Sequence, residues 1–120
     1  MKPPEYFNQS AVIPWRKLGD SLEILVISSS GGRRWVLPKG IVEPDMHPAD
    51  SAAKEAYEEA GVEGEPERRS VGTYDYAKWG GICTVEVFPM RVQALLEEWP
   101  EDYRTREWVS PETAAERMEE

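Results

Sequence analysis

The segment from Gly40 to Val62, GIVEPDMHPADSAAKEAYEEAGV, constrains this chain more than any other stretch. Pro48 suits the first turn of a helix, where its missing N–H would have had no partner anyway. Gly61 supplies a stop, because helices commonly end on a residue in the left-handed region. Between them Ala49, Ala52, Ala53, Ala56 and Ala60 recur at helical spacing, and such small side chains let a helix lie close against a sheet. Glu55, Glu58 and Glu59 occupy another sector. Like charges at offsets of three and four repel by roughly a few tenths of a kcal/mol per pair. The three glutamates are therefore either a solvated face or carboxylates gathered for a ligand, and the Gly- and Pro-containing lead-in favours the second.

The rest of the chain reads as short strands. Ser10–Pro14, the β-branched run Leu22–Ser28, Trp35–Leu37, Val71–Tyr76, Ile82–Val92 and Trp108–Val109 are strand candidates. The segment SSGGRR (29–34) is a turn, and residues 39–47 are irregular. Ser110 and Pro111 open a second helix as N-cap and first helical residue. Strands outnumber helices and the helices are far apart, so the class is α/β or α+β, a mixed sheet between helices.

At 120 residues the chain has the size of one domain, residues 1–120. No apolar run reaches the length of a membrane span, and MKPPEYFNQS lacks the apolar core of a signal peptide. Cys83 is the only cysteine, so no internal disulfide can form; it reads as a strand core residue, and a cytoplasmic location is expected. The net charge of -9 argues against nucleic-acid binding, which needs a basic surface to neutralise phosphates. It leaves room for a phosphorylated small molecule, because Arg16, Lys17, Arg33, Arg34, Lys39 and Lys54 cluster in the first half. Nothing in the sequence separates a monomer from a homodimer.

Carboxylate oxygens are preferred ligands of Mg²⁺, which keeps several waters and bridges to substrate phosphates. Glu55 and Glu59, one helical turn apart, can point into the same space, with Glu58 flanking them. A divalent ion there would polarise a phosphoryl oxygen and help deprotonate water, and a carboxylate not used as ligand could take the proton.

Gly40 followed by Lys54-Glu55-Ala56-Tyr57-Glu58-Glu59-Ala60-Gly61-Val62 resembles the Nudix box, spanning residues 40–62: a Gly, five residues, Glu, seven residues, then Arg-Glu-aliphatic-any-Glu-Glu-any-Gly-aliphatic. The spacing fits without insertion or deletion. The flanks SSSGGRRWVLPKG and WPEDYRTREWVSPETA are most similar to the diphosphoinositol polyphosphate phosphohydrolase branch, whose members also hydrolyse diadenosine polyphosphates. Three positions depart from the motif. Met46 stands where the box has its first Glu, Lys54 replaces the Arg and loses its bidentate fork, and Ala56 takes the aliphatic place.

The resemblance implies an α/β/α sandwich and Mg²⁺-dependent cleavage of a diphosphate or polyphosphate linkage, with Mn²⁺ able to serve. It makes Glu55 and Glu59 metal ligands, with a backbone carbonyl of Lys39 or Gly40 as a further ligand. Glu58 becomes proton acceptor or another ligand, and Lys54 orients Glu58 or a neighbouring carboxylate. Ser28, Arg33 and Arg34 become substrate-binding residues, with Lys39 completing a phosphate patch; solvated charges on an exposed hairpin are the plainer reading of GGRR. Favoured substrates are diphosphoinositol polyphosphates or dinucleoside polyphosphates. ADP-sugars or nucleoside triphosphates, and a non-catalytic binding module, remain the alternatives.

Other residues carry weaker signals. Arg104 and Arg106 sit where that branch has distal basic residues. His47 reads as an N-cap or an exposed residue. Trp79, Trp99 and Trp108 read as packing, with Trp79 the best placed to meet a nucleobase. Glu86 and Glu107 are surface strand residues that could also supply a ligand from outside the box.

Overall fold

The computed structural model describes residues 5–118, so the first four residues of the N-terminal stretch lie outside the described residues. In chain order the elements are β1 (Glu5–Leu18), β2 (Ser21–Ser28), β3 (Trp35–Val36), β4 (Lys39–Ile41), α1 (Pro48–Ala60), β5 (Val62–Pro66), β6 (Gly72–Lys78), β7 (Gly81–Leu95), β8 (Arg106–Val109) and α2 (Pro111–Met118).

Two long strands frame one mixed sheet. β1 and β7 run parallel, in register from Glu5 opposite Gly81 to Trp15 opposite Arg91, while the other pairings are antiparallel. Each long strand changes its outer neighbour at a proline. β1 pairs with β4 over Gln9–Ala11 and with β2 from Trp15, and Pro14 lies between. β7 pairs with β6 up to Val87 and with β5 from Met90, and Pro89 lies between. A proline has no N–H to give a ladder, so it is tolerated where the ladder passes from one neighbour to the next.

The alternation of β2 places the two helices. Leu25 and Ile27 pack with Ala52, Ala56 and Ala60 of α1, whereas Val26 packs with Val109 and Ala114 of α2. Successive strand residues point to opposite faces, so the helices cover opposite faces of the sheet. This is the α/β/α layering expected. The alanine stripe does what its spacing suggests: Ala49, Ala52, Ala56 and Ala60 are fully buried, bringing the α1 backbone down onto the sheet. Cys83 is buried in β7. Among the described residues no helix is long and apolar enough to cross a membrane.

The structure corrects three expectations of local structure. β1 extends well before Ser10, because its buried polar residues Gln9 and Ser10 break the apolar pattern that marks a strand. Residues 39–41, expected to be irregular, form β4 by pairing with β1. Val62–Pro66 forms β5, a strand with alternating exposure beside β7 that its VEGEP sequence does not advertise.

Candidate active site

Both ends of α1 are fixed by local chemistry. At the start His47 is extended, with ψ 141°, and its Nδ1 accepts the Ala49 N–H at 3.0 Å, so the histidine is the N-cap. At the end Gly61 is left-handed, with φ 65°, and donates its N–H to the Tyr57 carbonyl at 3.1 Å. Arg106 Nη1 donates to the Ala60 carbonyl at 2.8 Å, and the Trp99 indole N–H donates to the Glu59 carbonyl at 3.1 Å. A side chain at position 61 would strike both Trp99 and Arg106. The C-terminal end of α1, whose last two turns carry the glutamates, is thus locked in place.

Glu55 and Glu59 project from those turns into a cleft of about 310 Å³ between α1, β4 and the tip of the β6–β7 hairpin. The approach of β4 is close enough that any Cβ on Gly40 would collide with the Glu55 carboxyl group. Glu59 Oε1 accepts the Lys39 N–H at 3.2 Å. Burial pushes the Glu59 carboxyl up to about 7, against the opposing effects of the Lys39 N–H and of Arg104. Burial and then the neighbouring Glu58 charge raise Glu55 as well, although a hydrogen bond with Glu59 pulls it back. Without a cation the two carboxyl groups therefore retain a proton between them near neutrality.

Four cations, Arg34, Lys39, Lys78 and Arg104, surround this pair. Lys39 is lowered first by burial and next by Lys78, and its ammonium lies 5.3 Å from the Tyr76 ring centroid. The side chain of Arg104 is only 9% exposed. Its Nε and Nη2 donate to Glu101 Oε1 at 3.1 and 2.9 Å, and its Nη1 donates to the Ser28 carbonyl at 2.9 Å. The wall of the cleft is a guanidinium held rigid on two sides. A protein of charge -9 so presents a locally cationic cleft around a carboxylate pair.

The donor set suits a hard divalent cation. Among the described residues no three His, Cys, Asp or Glu side chains gather as a ready-made cage. Mg²⁺ needs none, because it is commonly held by one or two carboxylates and completes its shell with water and substrate phosphate. Two desolvated carboxyl groups over a glycine that leaves room for them meet that requirement.

Of the residues singled out in the sequence, Arg34, Lys39, Gly40, Glu55 and Glu59 come together in the cleft. Glu58 is half-buried beside Glu55 and outside the cleft lining; the Glu101 N–H donates to its backbone carbonyl at 2.9 Å. Lys54 grips Glu43, with Nζ to Oε1 at 2.7 Å, rather than Glu58, because Glu43 reaches it from the loop before the helix. The Ser28 hydroxyl is taken by the Thr105 N–H at 2.9 Å, and the cleft is lined instead by Ser29 and Ser30. Arg33 is exposed outside the lining. The two distal arginines divide their work: Arg104 walls the cleft and Arg106 caps α1. Glu107 pairs with Arg117 at 3.0 Å, and Glu86 lies in a separate groove with Met46 and Glu43.

Glu101, Tyr76 and Gln9 escape sequence reasoning. The charge of Glu101 raises both Glu55 and Glu59, and the one local signal is its i,i+3 pairing with Arg104. Tyr76 donates its hydroxyl to Gln9 Oε1 at 2.6 Å across 67 residues, which no local pattern encodes.

Comparison with known proteins agrees with this fold. Residues 8–120 match the NUDIX domain family. The chain is 39% identical over 100 residues to Nudix hydrolase 18, mitochondrial, of Arabidopsis thaliana, covering 81% of this chain and 56% of that protein. It is 34% identical over 115 residues to diphosphoinositol polyphosphate phosphohydrolase 3-alpha of Mus musculus, covering 93% of this chain and 69% of that protein. The chain thus spans between 56 and 59% of the length of the Arabidopsis relatives. In fold it is similar to the crystal structure of the C. elegans Ap4A hydrolase, with a TM-score of 0.79 at 20% identity over 97% of this chain and 89% of that one. With the family matched over residues 8–120 and the box carboxylates gathered on α1, the chain belongs to the Nudix family.

Proposed function

We propose that the chain is a Mg²⁺-dependent pyrophosphohydrolase that cleaves a diphosphate or polyphosphate linkage, with diphosphoinositol polyphosphates or dinucleoside polyphosphates as substrates. The observation that carries this reading is the desolvated Glu55–Glu59 pair over Gly40, ringed by Arg34, Lys39, Lys78 and Arg104. A binding module for phosphate alone gains nothing from two partly desolvated carboxylates that repel its ligand, whereas a hydrolase needs them to hold a cation against the anhydride.

Glu55 and Glu59, with a backbone carbonyl of Lys39 or Gly40, would hold Mg²⁺ or Mn²⁺. When bound, the ion supplies Lewis acidity toward a phosphoryl oxygen and acidifies its water. Arg104, fixed by Glu101 and the Ser28 carbonyl, offers its remaining N–H groups to the phosphoryl oxygens without reorganising. Arg34, Lys39 and Lys78 neutralise the rest of the polyphosphate. Glu58, beside Glu55 and outside the cleft lining, would take the proton given up by the attacking water through one bridging water. The names of the relatives, a diphosphoinositol polyphosphate phosphohydrolase and an Ap4A hydrolase, support the same substrate class.

The test is product release from a panel of diphosphoinositol polyphosphate, diadenosine tetraphosphate, ADP-ribose and ATP, with and without Mg²⁺. Mg²⁺-dependent turnover of one of the first two is expected. Turnover of ADP-ribose or ATP alone would move the substrate class, and no turnover of any member would leave a binding module.

A further inference from the structure

The tip of the β6–β7 hairpin is unusual. Its two turn residues, Trp79 and Gly80, have φ of 56° and 71°. Both being left-handed defines the turn type that follows strand twist and ordinarily calls for Asn, Asp or Gly at its first position. A bulky ring there is out of place on backbone grounds, and Trp79 has the only positive φ outside glycine among the described residues. The turn itself gains nothing from a ring at this position. Trp79 is 55% exposed yet forms part of the wall of the carboxylate cleft.

The tip is also held still. Phe7 of β1 meets the Trp79 ring edge-on, with centroids 5.3 Å apart and planes at 79°. Gly81, next but one in sequence, lies so close to β1 that a Cβ would strike the Glu5 carbonyl and the Phe7 ring. Lys78 places its ammonium 4.8 Å from the indole centroid and also lines the cleft. A rigid, solvent-facing aromatic beside a cationic phosphate cleft is the arrangement that stacks a planar group while the phosphates lie alongside.

We infer that Trp79 is a specificity-determining residue that stacks a nucleobase of the substrate at the mouth of the phosphate cleft. This rests on the polyphosphate reading of the cleft and narrows it to base-bearing substrates. An inositol ring has no π-face and offers the indole only C–H groups crowded by its phosphates, so it gains less from the stack than a nucleobase does.

The experiment compares Kd for β,γ-methylene ATP and for inorganic tripolyphosphate, both with Mg²⁺, in the wild type, Trp79→Gly and Trp79→Phe. Glycine is at home in the left-handed position, so the first variant folds with its turn relaxed. Trp79→Gly should weaken the nucleotide by about 10-fold or more and leave tripolyphosphate within about twofold, and Trp79→Phe should recover most of the loss. Equal weakening of both ligands would reduce Trp79 to a wall of the cleft and overturn the inference. So would a nucleotide affinity that does not change, or a wild type that binds neither ligand. The binding arms need no turnover, so a base-dependent loss in a protein that hydrolyses nothing would keep the stacking site while the hydrolase reading falls.

Discussion

At the scale of single residues the decisive feature is the protonation of the Glu55–Glu59 pair. The unfolded chain releases the Glu59 proton near the ordinary value of 4.5, while the folded, metal-free protein keeps it until about 7. Between those values the native state binds more protons than the unfolded state, so stability falls as pH rises through the window, by on the order of 1–3 kcal/mol. A divalent cation expels that proton. Thermal melts should therefore show Mg²⁺ stabilisation that grows from pH 5 to 8, with proton release on binding, and Glu59→Gln should abolish both the pH slope and the Mg²⁺ effect. A slope of the opposite sign would contradict the buried placement of this carboxyl group. The glutamate trio itself was legible because a helix repeats every 3.6 residues and the motif spacing is rigid. Its division of labour was not. Which glutamate faces the cleft depends on how β4 lies against α1, and the hold of Lys54 on Glu43 depends on the path of the loop before the helix.

At the scale of elements, the contact of β4 with α1 builds the site. Gly40 is the point of closest approach, and a methyl group there must displace either the strand or the Glu55 carboxyl group. Gly40→Ala should lower stability by about 1–3 kcal/mol, the usual cost of overpacking, and weaken Mg²⁺ at least about tenfold, as loss of ligand positioning does. Unchanged Mg²⁺ affinity in calorimetry would show that the strand does not position the carboxylate. β4 was hidden in the sequence because Lys39-Gly40-Ile41 is three residues long and shows no alternation. β5 was hidden because its polar VEGEP sequence looks like a loop until β7 pairs with it. α1 and α2 were legible because their signals are local: proline in the first turn of each, His47 and Ser110 as caps, and Gly61 as a stop.

At the scale of the whole molecule, parallel pairing of β1 with β7 and the partner changes at Pro14 and Pro89 spread the sheet so that distant segments meet. Arg104, late in the chain, reaches Ser28 at the end of β2, and the β6–β7 tip reaches the β4–α1 cleft. Such meetings account for Glu101 being invisible as a site residue in one dimension, and for Arg104 being legible only as a distal basic residue. They also concentrate positive charge in one place on an acidic protein. Salt screens attraction between such a cleft and a polyphosphate, so raising ionic strength from about 50 to 200 mM should raise KM several-fold with little change in kcat. A KM indifferent to salt would mean that Arg34, Lys39 and Lys78 do not meet the phosphates.

The central claim is that the Glu55–Glu59 pair holds the cation that makes this cleft a hydrolase. Its most direct test is turnover of diadenosine tetraphosphate by the wild type and Glu59→Gln, each with and without Mg²⁺. The account predicts Mg²⁺-dependent turnover by the wild type and a loss of about 100-fold or more in the variant, the scale on which removal of one transition-state-stabilising group acts. A variant retaining turnover within about tenfold of the wild type, with the same Mg²⁺ dependence, would place the metal elsewhere and contradict it.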